Sequence, residues 1–298
     1  MRYDLIALGE TMVAFAPPSG QSVRDAPHLL IDHAGAESNT CVGLARLGFR
    51  VAWISRLGAD AAGDRILDAL RAEQPGSIDL RWVRRDASRP TGLMIKEPGA
   101  GVRYYRSGSA ASEMPAEDLE DVPVAEAHAV LVTGVTALIG PRPHAAGLAL
   151  LRAARGLRIV DPNLRAGLWG SDRRAELVRP FIDHCDLLLA GAQELAEILG
   201  AGDANALARR ATERGPREIV VRGAETIGAL SDGAWREIDI TRDAAVDPIG
   251  AGDAFNAGYI ATRLRGGTID DALRAGARCG AAVTTAVSDT SAFPRSLG

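Results

Sequence analysis

Between Asp247 and Gly258 the chain reads Asp-Pro-Ile-Gly-Ala-Gly-Asp-Ala-Phe-Asn-Ala-Gly, a set of residue types suited to phosphate chemistry. Gly250 and Gly252, one residue apart, let successive backbone N–H groups converge on one small concavity, and such a nest binds anions. The Ala-, Ile- and Leu-rich run from Ala254 to Leu264 predicts a helix, closed by Gly266-Gly267. The N-terminus of that helix adds its positive dipole end to the nest. Asp253 falls at the junction, where a carboxylate repels a phosphate unless it has a task. The task on offer is to take the proton of an attacking hydroxyl and to aim that oxygen at a transferred phosphoryl group. Read alone, the same residues also describe a tight turn with Asp253 as an ordinary N-cap.

The full pattern Asp-x-x-Gly-Ala-Gly-Asp-Ala-Phe-x-x-Gly resembles the C-terminal signature of the ribokinase-like (phosphofructokinase B) carbohydrate kinases. The resemblance implies that the backbone of Gly250, Ala251 and Gly252 forms an anion hole and that Asp253 is the catalytic base, in touch with the acceptor. Gly35-Ala36-Glu37-Ser38-Asn39 is similar to the family's N-terminal signature, which places Gly35 and Asn39 on the sugar. Leu57-Gly58-Ala59-Asp60, with Gly63, is similar to its Gly-x-Asp-x-x-Gly connection. Gly191-Ala192-Gln193-Glu194 stands where the family often has Asn-x-x-Glu, and keeps Glu194 for a Mg²⁺ ion. The resemblance assigns Arg222, Gly223 and Gly228 to ATP, together with Gly250 and Gly252; the loop from Gly223 to Ala229 is two residues longer than usual.

Within the family, Gly9-Glu10, Gly35 to Asn39, Tyr104-Tyr105-Arg106 and Asp161-Pro162-Asn163-Leu164-Arg165 look most like 2-keto-3-deoxygluconate kinases. Those enzymes transfer the ATP γ-phosphate to the 6-hydroxyl of an acid sugar. Glu10, Tyr104, Tyr105, Arg106, Asn163 and Arg165 are then expected at the sugar, with Met94 where related enzymes often carry a lid tyrosine. An aromatic ring beside a guanidinium suits a ligand with both a carbon chain and a carboxylate. A kinase of a neutral sugar or a nucleoside, and a sugar- or nucleotide-binding regulator without turnover, are the alternatives.

The elements that must hold these residues read as an α/β chain. Leu5 to Gly9 is a buried first strand, and Glu10 follows at its C-terminal end, where ligand sites of open parallel sheets gather. Helices are predicted from about Gly35 to Leu47 and from Ala61 to Ala72, around a strand at Val51 to Ser55. From residue 128 strands alternate with helices: strands at 129–133, 158–160, 186–189 and 218–221, helices at 144–155, 174–182, 194–199 and 204–214. Thr226 to Leu230 and Trp235 to Ile240 predict a hairpin about Asp232-Gly233, and helices at 254–264 and about 269–286 end the chain. Such alternation argues an open, mostly parallel sheet with helices on both faces. Two antiparallel strands, Gly92 to Lys96 and Val102 to Ser107, joined by Pro98 to Gly101, interrupt the rhythm. By the resemblance they form a small β-sheet lid over the sugar, with strands drawn from about 11–32 and 88–108; Pro17 to Gly20 reads as a turn. Period-two alternation sets Tyr104 and Arg106 on one lid face, Arg103 and Tyr105 on the other. No repeat or linker divides the chain, and one domain over residues 1–298 is expected.

Composition narrows the chemistry further. The 298 residues are 47% hydrophobic and 24% charged with a net charge of −4, which supplies no electrostatic reason for nucleic acid or an anionic membrane as partner. Lys96 is the single lysine among 34 basic side chains. The chain therefore has no Gly-Lys-Ser/Thr phosphate loop, and any phosphate must be met by backbone N–H groups, arginines and a metal ion. Cys41, Cys185 and Cys279 lie far apart and read as small buried hydrophobes in a reducing compartment. The five histidines show no metal-ligand spacing, and Ser109 lies in no nucleophile elbow. Gly250-x-Gly252-x-x-Phe255 misses the third glycine of a dinucleotide fingerprint. Met1-Arg2-Tyr3-Asp4 opens into a strand without a signal-peptide pattern, and no apolar run reaches the ~18 residues of a membrane span, so a cytoplasmic location is expected. Strand edges of the lid offer a pairing surface, so a homodimer or higher homo-oligomer is expected.

Overall fold

The computed structural model describes residues 3–18, 21–73, 77–97, 101–165, 168, 171–240, 249–286 and 288–297. Asp247-Pro248, Ser19-Gly20 and the tip Pro98 to Ala100 of the predicted lid turn lie outside them.

The first half runs β1 (Tyr3–Leu8), β2 (Met12–Ala16), β3 (Leu30–Ala34), α1 (Ala36–Arg46), β4 (Val51–Gly58) and α2 (Ala61–Ala72). Then come β5 (Ile78–Asp79), β6 (Val83–Asp86), β7 (Leu93–Glu97) and β8 (Gly101–Tyr105). The second half alternates: β9 (Ala127–Thr133), α3 (Gly134–Leu138), α4 (Pro141–Ala153), β10 (Leu157–Asp161), α5 (Arg174–Ile182), β11 (Leu187–Gly191), α6 (Ala192–Leu199), α7 (Ala204–Thr212) and β12 (Glu218–Arg222). It closes with the hairpin β13 (Thr226–Ser231) and β14 (Ala234–Asp239), then α8 (Ala251–Leu264) and α9 (Ile269–Val283).

The main sheet has the order β14-β13-β12-β11-β10-β9-β1-β4-β5, with β6 also on β4. From β5 to β12 every pair is parallel, and only β12-β13-β14 pair antiparallel. Both faces are buried because side chains alternate along each strand. Leu5 and Ala7 join the core beside α1, α8 and α9, whereas Ile6 and Leu8 join the core beside α3, α4 and α5. Leu187 and Leu189 against Leu188 and Ala190 repeat the split on β11. The strand order reverses at β1, which lies between β4 and β9, and ligands of open α/β sheets bind beyond the carboxyl ends of the strands at such a switch point. Glu10, Thr133 and Asp161 stand at those ends.

A separate sheet, β3-β2-β7-β8, forms the small second layer. Here β2 and β7 run parallel, while β2–β3 and β7–β8 are antiparallel. One face carries Met12, Ala14, Ala34, Met94, Val102 and Tyr104 as a small apolar cluster, with Lys96 in register beside Val102. Arg103 and Tyr105 point to the opposite face, as alternation predicts.

Several boundaries differ from expectation. Helix α4 starts at Pro141, not His144, because proline at the first helical position loses no hydrogen bond. Helix α3 was not anticipated: its five residues include Val135 and Thr136, poor helix formers, and it is started by the Thr133 side chain accepting from the Val135 N–H. Strands β5 and β6 are too short for periodicity to reveal.

Candidate active site

The site is assembled around the start of α8. Gly250 is its N-cap with φ 86°, a left-handed conformation that favours glycine, and it abuts the Asp289 carbonyl. Because Gly250 has no side chain, the first-turn N–H groups of Ala251, Gly252 and Asp253 have no side-chain cap. Those donors and the helix dipole are suited to an anion. Asp253 is therefore not the N-cap, the alternative that its sequence position allowed. It occupies the third helical position, is buried, and its Oδ2 accepts a 2.8 Å hydrogen bond from the Asn39 side-chain amide. Burial pushes the Asp253 carboxyl up to about 8, opposed by the Asn39 bond and the Arg165 charge and reinforced by Asp161 and Asp289. A carboxyl poised near neutrality suits a general base.

Helix α1 delivers Asn39 because Gly35 lets its N-terminus press onto the end of β1: a Cβ at Gly35 would lie 2.3 Å from the Glu10 carbonyl oxygen. Asn39 also donates to Asp289 at 3.4 Å. Glu10, almost fully buried, accepts from Arg106 Nε at 2.6 Å and from Ser109 Oγ at 2.8 Å. Arg106 is thus a buried ion-pair partner of Glu10 and not a solitary cation, a refinement of its expected place. Its guanidinium lies 5.2 Å from the Tyr104 ring centre. Tyr105 is 54% exposed on the far face of the lid, so the structure separates it from Tyr104 and Arg106 and removes it from the expected sugar contacts.

Beyond β10, Asn163 adopts φ 36°, a turn that its own N–H stabilises by donating to Asp161 Oδ1 at 3.0 Å. Asn163 Oδ1 accepts from Arg165 Nε at 2.7 Å, and the Arg165 side chain stands exposed at the rim. Arg222, at the end of β12, donates to Asp161 at 3.0 Å and to Asn256 at 2.5 Å, and Asn256 donates to Asp161 at 2.7 Å. This network lays the Arg222 guanidinium about 4 Å from where a Cβ of Gly252 would be, directly beside the anion site. Gly223 opens the turn after β12, its N–H bonded to the Thr226 carbonyl at 2.9 Å. Gly228 does not join them: it lies within β13 with the Trp235 ring filling the space of its missing side chain, so packing and not nucleotide explains that glycine.

Glu194 caps α6, its two oxygens accepting from the Gly191 and Leu164 N–H groups at 2.8 Å each. Burial, then the Asp161 charge, holds its carboxyl above the ordinary carboxylate range. These two bonds fix the Glu194 carboxylate at the start of α6 and leave each oxygen a further lone pair. Among the described residues no group of three or more His, Cys, Asp or Glu side chains could hold a metal. This donor set fits a Mg²⁺ ion carried in on phosphates with its own waters, as Mg²⁺ commonly is.

Sequence reasoning gave no role to Asp161, Asn256, Asp289 or Lys96. Asn256, three residues after Asp253, shares its helix face, a spacing that offered a signal. Asp289 and Lys96 come from a C-terminal loop and a lid strand that only the fold brings together.

Comparison with known proteins agrees with this architecture. A Bacillus subtilis 2-dehydro-3-deoxygluconokinase is 31% identical over 310 aligned positions, covering 99% of this chain and 93% of the relative. A Thermoproteus tenax 2-dehydro-3-deoxygluconokinase is 30% identical, covering 98% and 91%. The crystal structure of a PfkB protein from Polaromonas sp. JS666 superposes with a TM-score of 0.86 at 31% identity, over 98% of this chain and 97% of that one. The profile of the pfkB family of carbohydrate kinases matches residues 3–295. With its parallel sheet, its small second sheet and the glycine-capped helix that holds Asp253, the chain belongs to the pfkB carbohydrate kinase family and is an ATP-dependent sugar kinase.

Proposed function

We propose that the acceptor is 2-keto-3-deoxygluconate or a close acid sugar, phosphorylated on its primary 6-hydroxyl, by a single kinase domain spanning residues 1–298. The observation that carries this reading is the pair of guanidinium groups brought to the two arms of the site: exposed Arg165 bonded to Asn163, and Arg106 beside Tyr104 and bonded to Glu10 at the end of β1. Full-length similarity to 2-dehydro-3-deoxygluconokinases supports it. In this reading Asp253 takes the proton of the acceptor hydroxyl, and Asn39 fixes which carboxylate oxygen faces it. Gly35, Asn39, Tyr104, Asn163 and the two arginines bind the sugar, while Glu10 orients Arg106. The N–H groups of Ala251, Gly252 and Asp253, with Arg222 behind Gly252 and Gly223 alongside, meet the ATP phosphates. Magnesium would neutralise phosphate charge when bound, and Glu194 would reach it through a water.

One observation favours a second reading, a neutral sugar: Glu10 already offsets the charge of Arg106. A coupled ADP-release assay over acid sugars, neutral sugars and nucleosides separates the two. The acid sugar should give the highest kcat/KM. Arg165→Ala should raise its KM roughly 10- to 150-fold, the range for losing a hydrogen bond to a charged group, while affecting neutral sugars little. A neutral sugar as best substrate, with KM insensitive to Arg165→Ala, would replace the acid-sugar reading.

A homodimer joined through the lid is also part of the proposal. Among the described residues, β3 and β8 each have one side without a strand partner, and Leu30, Ile31 and Tyr105 are exposed on these edge strands. A cytoplasmic location is in keeping with three free, buried cysteines, and among the described residues no helix is long and apolar enough to cross a membrane.

A further inference from the structure

Asp161 ends β10, is 1% exposed, and turns each of its oxygens to a different part of the site. Oδ1 accepts from the Asn163 N–H at 3.0 Å, the bond that holds the left-handed turn leading to Arg165. Oδ2 accepts from Arg222 Nη2 at 3.0 Å and from Asn256 Nδ2 at 2.7 Å. Asn256 in turn accepts from Arg222 Nη1 at 2.5 Å, which closes a ring of Asp161, Arg222 and Asn256 beside Gly252. The Leu164 N–H, next along the turn, is taken by Glu194 at 2.8 Å. Every group bonded to Asp161 is therefore a donor: a backbone N–H, a guanidinium and an amide. A carboxylate accepts on both oxygens, which the isosteric amide of asparagine cannot do.

We propose that Asp161 is a positioning residue that joins the two arms of the site. One oxygen sets the Asn163–Arg165 turn for the sugar, and the other sets the Arg222 guanidinium for the ATP phosphates. The proposal rests on the roles given above to those arms, while its hydrogen-bond core does not. In Asp161→Asn the new –NH₂ group must face a donor whichever way the amide is turned. Its oxygen is best placed toward Arg222 and Asn256, where two donors wait and one is charged. The nitrogen then opposes the Asn163 N–H, so the sugar turn loosens. The phosphate arm suffers too, because Arg222 loses its ion pair with Asp161. Exchanging the two side-chain types mends most of this. In Asp161→Asn/Asn256→Asp the amide at 161 accepts from the Asn163 N–H and donates to the carboxylate at 256, which also accepts from Arg222 Nη1. Only the Arg222 Nη2 contact stays mismatched.

The test measures KM for the sugar of highest kcat/KM at saturating ATP, and the ATP dissociation constant by calorimetry. Arg165→Ala, the one-arm reference, should raise the sugar KM and leave ATP binding unchanged. Asp161→Asn should raise the sugar KM and weaken ATP together, each about tenfold or more, the scale of a lost hydrogen bond to a charged group. The exchange variant should recover most of the loss in sugar KM and part of that in ATP affinity. Arg222→Gln leaves the sugar turn intact yet should raise the sugar KM as well, which tests the same joint should Asp161→Asn not fold. Loss of one ligand only in Asp161→Asn, an exchange variant no better than Asp161→Asn, or a sugar KM unmoved in Arg222→Gln would each overturn the proposal. Hydrogen exchange of the Asn163 amide in ¹⁵N-labelled protein reads the joint without turnover. It should speed by about tenfold or more in Asp161→Asn and slow again in the exchange variant. If exchange follows this course while Arg165→Ala spares the sugar KM and Arg222→Gln spares ATP binding, the roles given to the arms are wrong and the joint itself stands. Unchanged exchange in Asp161→Asn would remove the joint.

Discussion

Asp253, the base of the proposed reaction, carries a large electrostatic cost in one buried side chain. Its carboxyl is raised to about 8 by burial first, with Asp161 and Asp289 adding to the shift, so it binds its proton more tightly folded than unfolded. The sign of the linkage follows. Asp253 costs nothing below the unfolded value near 3.8, and stability is lost as pH rises through the folded value near 8. Asp253→Asn should match the parent in thermal midpoint near pH 4 and exceed it by a margin that grows up to about pH 8. A margin independent of pH, or a less stable variant at pH 8, would show that the carboxyl is not held as described. Residue types alone placed this aspartate at a glycine nest. They could not show that the cap is Gly250, that Asn39 arrives from 214 positions away, or that Arg106 is already matched by Glu10.

At the scale of elements, the glycines that look alike in sequence act for different reasons. Gly35 is needed because α1 must start against the end of β1, where the Glu10 carbonyl leaves no room for a Cβ. Gly252 has open space, its nearest neighbour being the Arg222 guanidinium at 3.9 Å. Gly35→Ala should therefore lower the thermal midpoint and kcat together, by displacing Asn39 from Asp253. Gly252→Ala should leave the midpoint nearly unchanged and weaken ATP binding roughly tenfold or more, by crowding the anion site and costing a hydrogen bond to a charged group. Thermal unfolding and ATP titration of both variants check the contrast; equal losses of stability would refute it. The long elements were legible because period and punctuation agree: α2 was placed at Ala61 to Ala72 by its amphipathic spacing, and the structure ends it at the same residues. Where the signal is a few residues long, as in α3 or the two-residue β5, tertiary packing decides and sequence does not.

In the whole molecule, the order of the main sheet reverses at β1, and the residue after the small sheet's β8, Arg106, is bonded to Glu10 at that end of β1. The family signatures were readable because they lie in contiguous stretches. The ties that hold them were not, since Lys96, Asp289, Asp161 and Asn256 meet only after α1, α8, the lid and the C-terminal loop have packed. The sugar kinase itself is settled by family, and what remains most exposed to test is the claim that Asp253 is its base. That claim is tested most directly by Asp253→Asn, assayed for sugar-dependent ADP release and, on the same protein, for ATP binding by calorimetry. A fall in kcat of at least about 100-fold, the scale of a positioned general base, is expected, with ATP affinity unchanged or improved because a negative charge beside the phosphates is gone. Near-normal turnover with intact ATP binding would contradict it and return Asp253 to a structural role at the start of α8.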